Sequence, residues 1–118
     1  MTIQEFQSVF DNLPGMYLLL QPDAPVYSII SANKAYLKAT FTQKEHIVGK
    51  PVFTVFPDTP GMDTKESKQL LLNLFEDAIR NKQTNQVNEL RYDIPLNDGT
   101  DQFLERYWRV INTPVLDD

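Results

Sequence analysis

Cysteine is absent from the 118 residues, so no disulfide, thiolate metal site, thiol nucleophile or cysteinyl adduct to a cofactor can form. That absence fits a reducing compartment, and a cytoplasmic location is the expectation. Histidine occurs once, as His46, too few for a two-histidine metal cluster, so no metal site is expected. Positive charge is scarce: 11 Lys and Arg stand against 16 Asp and Glu, for a net charge of −5, and no basic cluster occurs. Sequence-independent binding to a phosphate backbone needs such a cluster, so nucleic acid is not an expected partner. Long apolar runs are also missing. Met16 to Leu20 falls far short of the roughly 20 residues needed to cross a bilayer, and no charged-then-apolar leader is visible, which predicts a soluble domain without membrane contact. What remains, 42% hydrophobic over 118 residues, suffices for one core and not two.

Periodicity places the elements. Phe6, Val9, Phe10 and Leu13 recur at helical spacing and Pro14-Gly15 ends the pattern, predicting a short amphipathic helix over residues 3–13. Met16 to Gln21 and Val26 to Ser31 read as strands joined by the turn Pro22-Asp-Ala-Pro25, a hairpin. Ser31 or Asn33 can cap the following helix, whose Ala35, Tyr36 and Ala39 are expected inside. Thr42-Gln-Lys-Glu45 has the spacing of a capping box, and Gly49 with Pro51 stops that turn. A further short piece carries Val52, Phe53, Val55 and Phe56 toward the core. The one long helix starts near Asp63-Thr-Lys-Glu66 and runs to about Lys82, with Leu70, Leu71, Leu74, Phe75, Ala78 and Ile79 on a broad stripe. Two strands, Gln86 to Leu96 and Gln102 to Asn112, follow around Asn97-Asp-Gly99, a turn that tolerates positive φ. The plan is α+β: antiparallel hairpins at both ends, helices gathered between them on one face of a single sheet, and a ligand-sized space between sheet and helices.

Asp11-Asn-Leu-Pro-Gly15, Ser31-Ala-Asn-Lys-Ala-Tyr36, Ile47-Val-Gly-Lys-Pro51, Val55-Phe-Pro-Asp58 and Glu105-Arg-Tyr-Trp108 leading to Asn112-Thr-Pro-Val115 resemble, in order and spacing, a PAS domain of the sensory-box type fused to bacterial histidine kinases. The resemblance implies the PAS fold, with a five-stranded antiparallel sheet and an N-terminal flanking helix. In that fold the last strand lies beside the first. After Asn112 only Thr113-Pro-Val-Leu-Asp-Asp118 follows, too short and proline-broken for another strand, so the expectation is a single domain over 1–118 lacking most or all of its final strand. An unpaired edge on the first strand would then need cover.

The resemblance further implies a sensory or relay module rather than an enzyme. Its ligand-binding candidates are Tyr36, Phe56, Leu71, Phe75, Tyr92, Arg106 and Trp108, although aromatics at strand spacing ordinarily fill core. Arg106 is the residue with plausible ligand chemistry, since a guanidinium fork can hold a carboxylate bidentately, whereas the ordinary reading is a snorkelling or ion-paired surface arginine. Haem is disfavoured because the histidine that ligates it in such domains lies on the long helix, where this chain has none. Flavin is disfavoured too, the reactive cysteine of light-sensing relatives being absent. Glu89, Arg91, Glu105 and Arg109 are placed for cross-strand ion pairs. Homodimerisation is expected through Phe6, Val9 and Phe10, with a downstream effector domain as the second partner and a small molecule as the third. The competing reading is a small cone-shaped α+β enzyme doing acid–base chemistry in an apolar pocket. It would require Glu105 to be buried there.

Overall fold

The structure, a computed structural model, describes residues 1–116. In chain order its elements are α1 (Ile3–Asp11), β1 (Leu18–Leu20), β2 (Ile29–Ala32), α2 (Lys34–Thr40), α3 (Lys44–Ile47), α4 (Val52–Val55), α5 (Lys65–Asn81), β3 (Asn85–Arg91), β4 (Ile94–Pro95), β5 (Phe103–Leu104) and β6 (Tyr107–Asn112). The α+β plan holds, and all strand pairing is antiparallel where its register is defined. Continuity differs from expectation: among the described residues the strands form three two-stranded ladders, β1–β2, β3–β6 and β4–β5, rather than one hydrogen-bonded sheet. No helix is long and apolar enough to cross a membrane among the described residues.

The chain divides into two compact units, residues 1–56 with 95–102, and residues 57–94 with the segment from Phe103 onward. In the first unit, α1 begins at Thr2, whose hydroxyl accepts the Glu5 N–H at 3.0 Å. Its C-terminal end is tied by Lys44, whose ammonium lies 3.0 Å from Asp11. Helix α2 ends at Phe41 in the left-handed conformation (φ 55°), where the Thr42 N–H reaches back to the Leu37 carbonyl at 3.0 Å. The expected capping box at Thr42 does not form. Gln43 is the cap residue of α3 and makes no side-chain bond, while the Thr42 hydroxyl pairs with that of buried Thr40 at 2.8 Å. Phe10, Tyr27, Ile29, Ala32, Ile47, Val52 and Phe56 make the core of this unit.

In the second unit, α5 runs as expected and stops at Lys82, again left-handed (φ 54°). It packs along β3, where the Asn85 amide donates to the Leu74 carbonyl at 2.7 Å and the Ser67 hydroxyl to the Arg91 carbonyl at 3.3 Å. The apolar stripe is narrower than the sequence suggests. Ala78 is buried and Leu71, Leu74 and Phe75 are half-buried, but Leu70 and Ile79 lie exposed on its margins. Asn97 and Gly99 both take positive φ in the turn between β4 and β5, as Asn97-Asp-Gly99 predicts.

Candidate functional site

The two late strands are interrupted at facing points, and the interruption organises the candidate site of the second unit. Between β3 and β4, Tyr92 and Asp93 leave the ladder; between β5 and β6, Glu105 and Arg106 do the same. Asp93 is 6% exposed, and its carboxylate accepts the Arg106 N–H at 3.2 Å and the Arg91 guanidinium at 3.2 and 3.1 Å. The Tyr92 N–H in turn donates to the Arg106 carbonyl at 3.0 Å. A side chain thus replaces one ladder acceptor, which lets a charge be buried without leaving it unpaired. Asp93 was invisible as a functional position in the sequence, although a carboxylate between Tyr92 and Ile94 in an otherwise apolar run was the signal.

Burial alternates cleanly across this region. Leu104, Arg106, Trp108 and Val110 are half-buried, while Glu105, Tyr107, Arg109 and Ile111 are exposed, as the two-residue period of a strand requires. Trp108 pairs with buried Leu90 across the ladder, and its indole N–H donates to the Tyr92 carbonyl at 2.8 Å. Burial, reinforced by the charge of Asp58, pushes the Tyr92 phenol well above the usual tyrosine range. On the open side, Arg91 bridges Asp93 and Glu105, the latter at 2.9 Å. Of the expected cross-strand pairs, that one forms.

The seven ligand candidates fall into two groups. Tyr36 and Phe56 meet each other in the first unit, ring edge to face, with centroids 6.1 Å apart and planes at 74°. Leu71 and Phe75 on α5, Tyr92, Arg106 and Trp108 belong to the second unit. Of the three dimer candidates, Phe6 and Val9 are 54% and 52% exposed, but Phe10 is buried in its own chain and stacks on Phe6 at 6.4 Å. The exposed stripe of α1 is therefore Ile3, Phe6 and Val9. His46 sits exposed on the single turn of α3, a placement unlike that of a buried axial ligand. Glu105, on which the acid–base reading depends, has a side chain 59% exposed and paired with Arg91.

Asn33 does more than cap α2. Fully buried, it accepts the Tyr36 N–H at 3.2 Å and the Tyr17 N–H at 2.9 Å through one oxygen, and its amide donates to the carbonyls of Gly15 (2.6 Å) and Leu13 (3.3 Å). One side chain therefore joins the exit of α1, the entry to β1 and the start of α2.

No family model and no curated protein sequence matches the chain. Solved structures do. The Rhodobacter sphaeroides LOV protein and the RsLOV d2 variant each align with a TM-score of 0.53 and 19% identity, covering 93% of this chain and 69% of theirs. The PAS domain of the fruit-fly ELK potassium channel aligns at 0.48 and 14% identity, covering 96% of this chain and 97% of that domain. The chain has the PAS/LOV fold.

Proposed function

We propose that this chain is a sensory or relay module that binds a small molecule and passes the change to an effector through dimer packing. The observation that carries the reading is the PAS/LOV fold over nearly the whole chain, since domains of that fold serve signalling on very different ligands. The exposed, ion-paired state of Glu105 supports it against the acid–base enzyme, which loses the carboxylate it needs. The ligand would be held by Leu71, Phe75, Tyr92, Arg106 and Trp108 in the second unit, with Tyr36 and Phe56 as the candidates of the first. Haem and thiol-adduct flavin are not the ligands we propose, given the exposed His46 and the absence of cysteine. The exposed Ile3, Phe6 and Val9 of α1 would form the dimer contact, and a cytoplasmic histidine kinase of a two-component system is the effector context the sequence resemblance favours.

Mechanistically, the ligand must bind one packing of strands and flanking helix better than another, because equal affinity transmits nothing. Asn33 fits that role as the polar joint at the foot of α1. Native mass spectrometry of the protein as purified from cells tests the reading, together with light scattering over a concentration series. A retained small molecule and a concentration-dependent dimer are expected; a bare chain that stays monomeric at high concentration would refute it.

A further inference from the structure

Two arginines and two carboxylates meet at the interruption of the late strands, and one arginine takes both carboxylates. Arg91 engages Asp93 through two nitrogens and Glu105 through one. Arg106 contributes only its backbone N–H to Asp93, and among the described residues its guanidinium has no ion pair or hydrogen bond. Yet Arg106 is half-buried, as are Leu104, Trp108 and Val110. A partly desolvated cation without a counter-charge is costly, and Asp93 is fully committed elsewhere. The backbone of Arg106 is fixed at both ends by Asp93 and Tyr92, so the fork is presented from a rigid base.

We propose, resting on the ligand-binding reading above, that Arg106 holds the carboxylate of a small acid with an apolar body, and that Trp108 flanks that body. A guanidinium fork matches a carboxylate bidentately. One unpaired, half-buried cation suits a monoanion, while a dianionic phosphate or a polyanion would need a second cation, and Arg91 is already held by Asp93 and Glu105. Trp108 is the single tryptophan of the chain, half-buried like Arg106 and two residues from it, so its emission is the reporter of occupancy.

The test titrates the protein with phenylacetate, hexanoate and the uncharged phenylacetamide while following Trp108 fluorescence. Saturable responses to the two acids are expected, with the amide at least about ten-fold weaker, the order of a lost charge-assisted hydrogen-bond pair. Arg106→Gln should weaken the acids by at least about ten-fold and leave the amide unchanged, and Arg106→Lys should retain part of the preference. If Arg106→Gln fails to fold by its melting transition, the acid-to-amide ratio in Arg106→Lys decides, a ratio as large as in the native chain counting against the assignment. No saturable response to either acid, or intact acid binding in a folded Arg106→Gln, overturns the proposal. An amide that binds as well as the acids overturns it while leaving the ligand-binding reading standing.

Discussion

The two units solve the same problem, a polar group inside a small core, in opposite ways. The first unit uses a neutral amide: Asn33 satisfies four backbone groups with no net charge to desolvate. The second unit uses a carboxylate, Asp93, which satisfies one backbone N–H and must import Arg91 to balance its charge. A buried amide is indifferent to pH and salt, whereas a buried ion depends on its partner staying in place. The neutral joint stands where helix, strand and helix meet. The ionic one stands beside the half-buried Arg106, so the unit built around a buried charge also carries, among the described residues, an arginine without an ion pair.

Breaking the neutral joint should have the largest effect. Asn33→Ala strands two backbone N–H groups and two carbonyls in the first unit, and a loss of about 3–4 kcal/mol in denaturant unfolding is expected. Asn33→Asp keeps the acceptor, loses both donated bonds and adds a charge, and should recover less than half of that loss. Asp93→Ala should follow at about 2–3 kcal/mol, because it frees the Arg106 N–H and leaves Arg91 with Glu105 alone. An Asp93 loss larger than the Asn33 loss would reverse the ranking of the two joints.

Titration sharpens the same contrast. The folded Tyr92 phenol ionises above its ordinary value of 10.0, so its contribution is full below that pH and is lost as pH rises past it. Ultraviolet titration should show one of the five tyrosines resisting ionisation until the chain unfolds, and Tyr92→Phe should delete that component. In the first unit, the Ser28 hydroxyl and then its N–H hold the Asp23 carboxyl below the usual range of 3.8. That contribution is present above 3.8 and fades as pH falls through the lower folded value, so Ser28→Ala should blunt acid sensitivity in a pH series of melts. The smallest effects belong to the helix ends. Lys82→Gly should raise stability by about 0.5–1 kcal/mol, since glycine occupies the left-handed position at the end of α5 without the side-chain penalty.

Much of this was legible in the sequence, and the failures have identifiable causes. Helices α1 and α5, the Asn33 cap and the positive φ at Asn97 and Gly99 follow from spacing and turn chemistry that act locally. The first strand is shorter than its apolar run because Asn33 takes the Tyr17 N–H with its side chain, and its own N–H donates to the Tyr17 carbonyl at 3.1 Å. The late strands break where Asp93 substitutes for a ladder acceptor, a partnership thirteen residues apart that no periodicity reveals. Phe10 showed the same limit. It shares a helical stripe with Phe6 and Val9, and only tertiary packing decides that it is buried while they are not. Of the candidate site, type and alternation single out Arg106 and Trp108 as candidates, but the competition that gives both carboxylates to Arg91 exists only in three dimensions.

The proposed relay is tested most directly by hydrogen exchange of the protein as purified from cells and again after denaturation, dialysis and refolding to strip the small molecule it is proposed to retain. Changed protection should extend from the amides of residues 90–93 and 106–110 to those of Tyr17 and Tyr36 at the Asn33 joint. Changes confined to residues that touch the ligand, with the Asn33 joint exchanging identically in both states, would contradict the account.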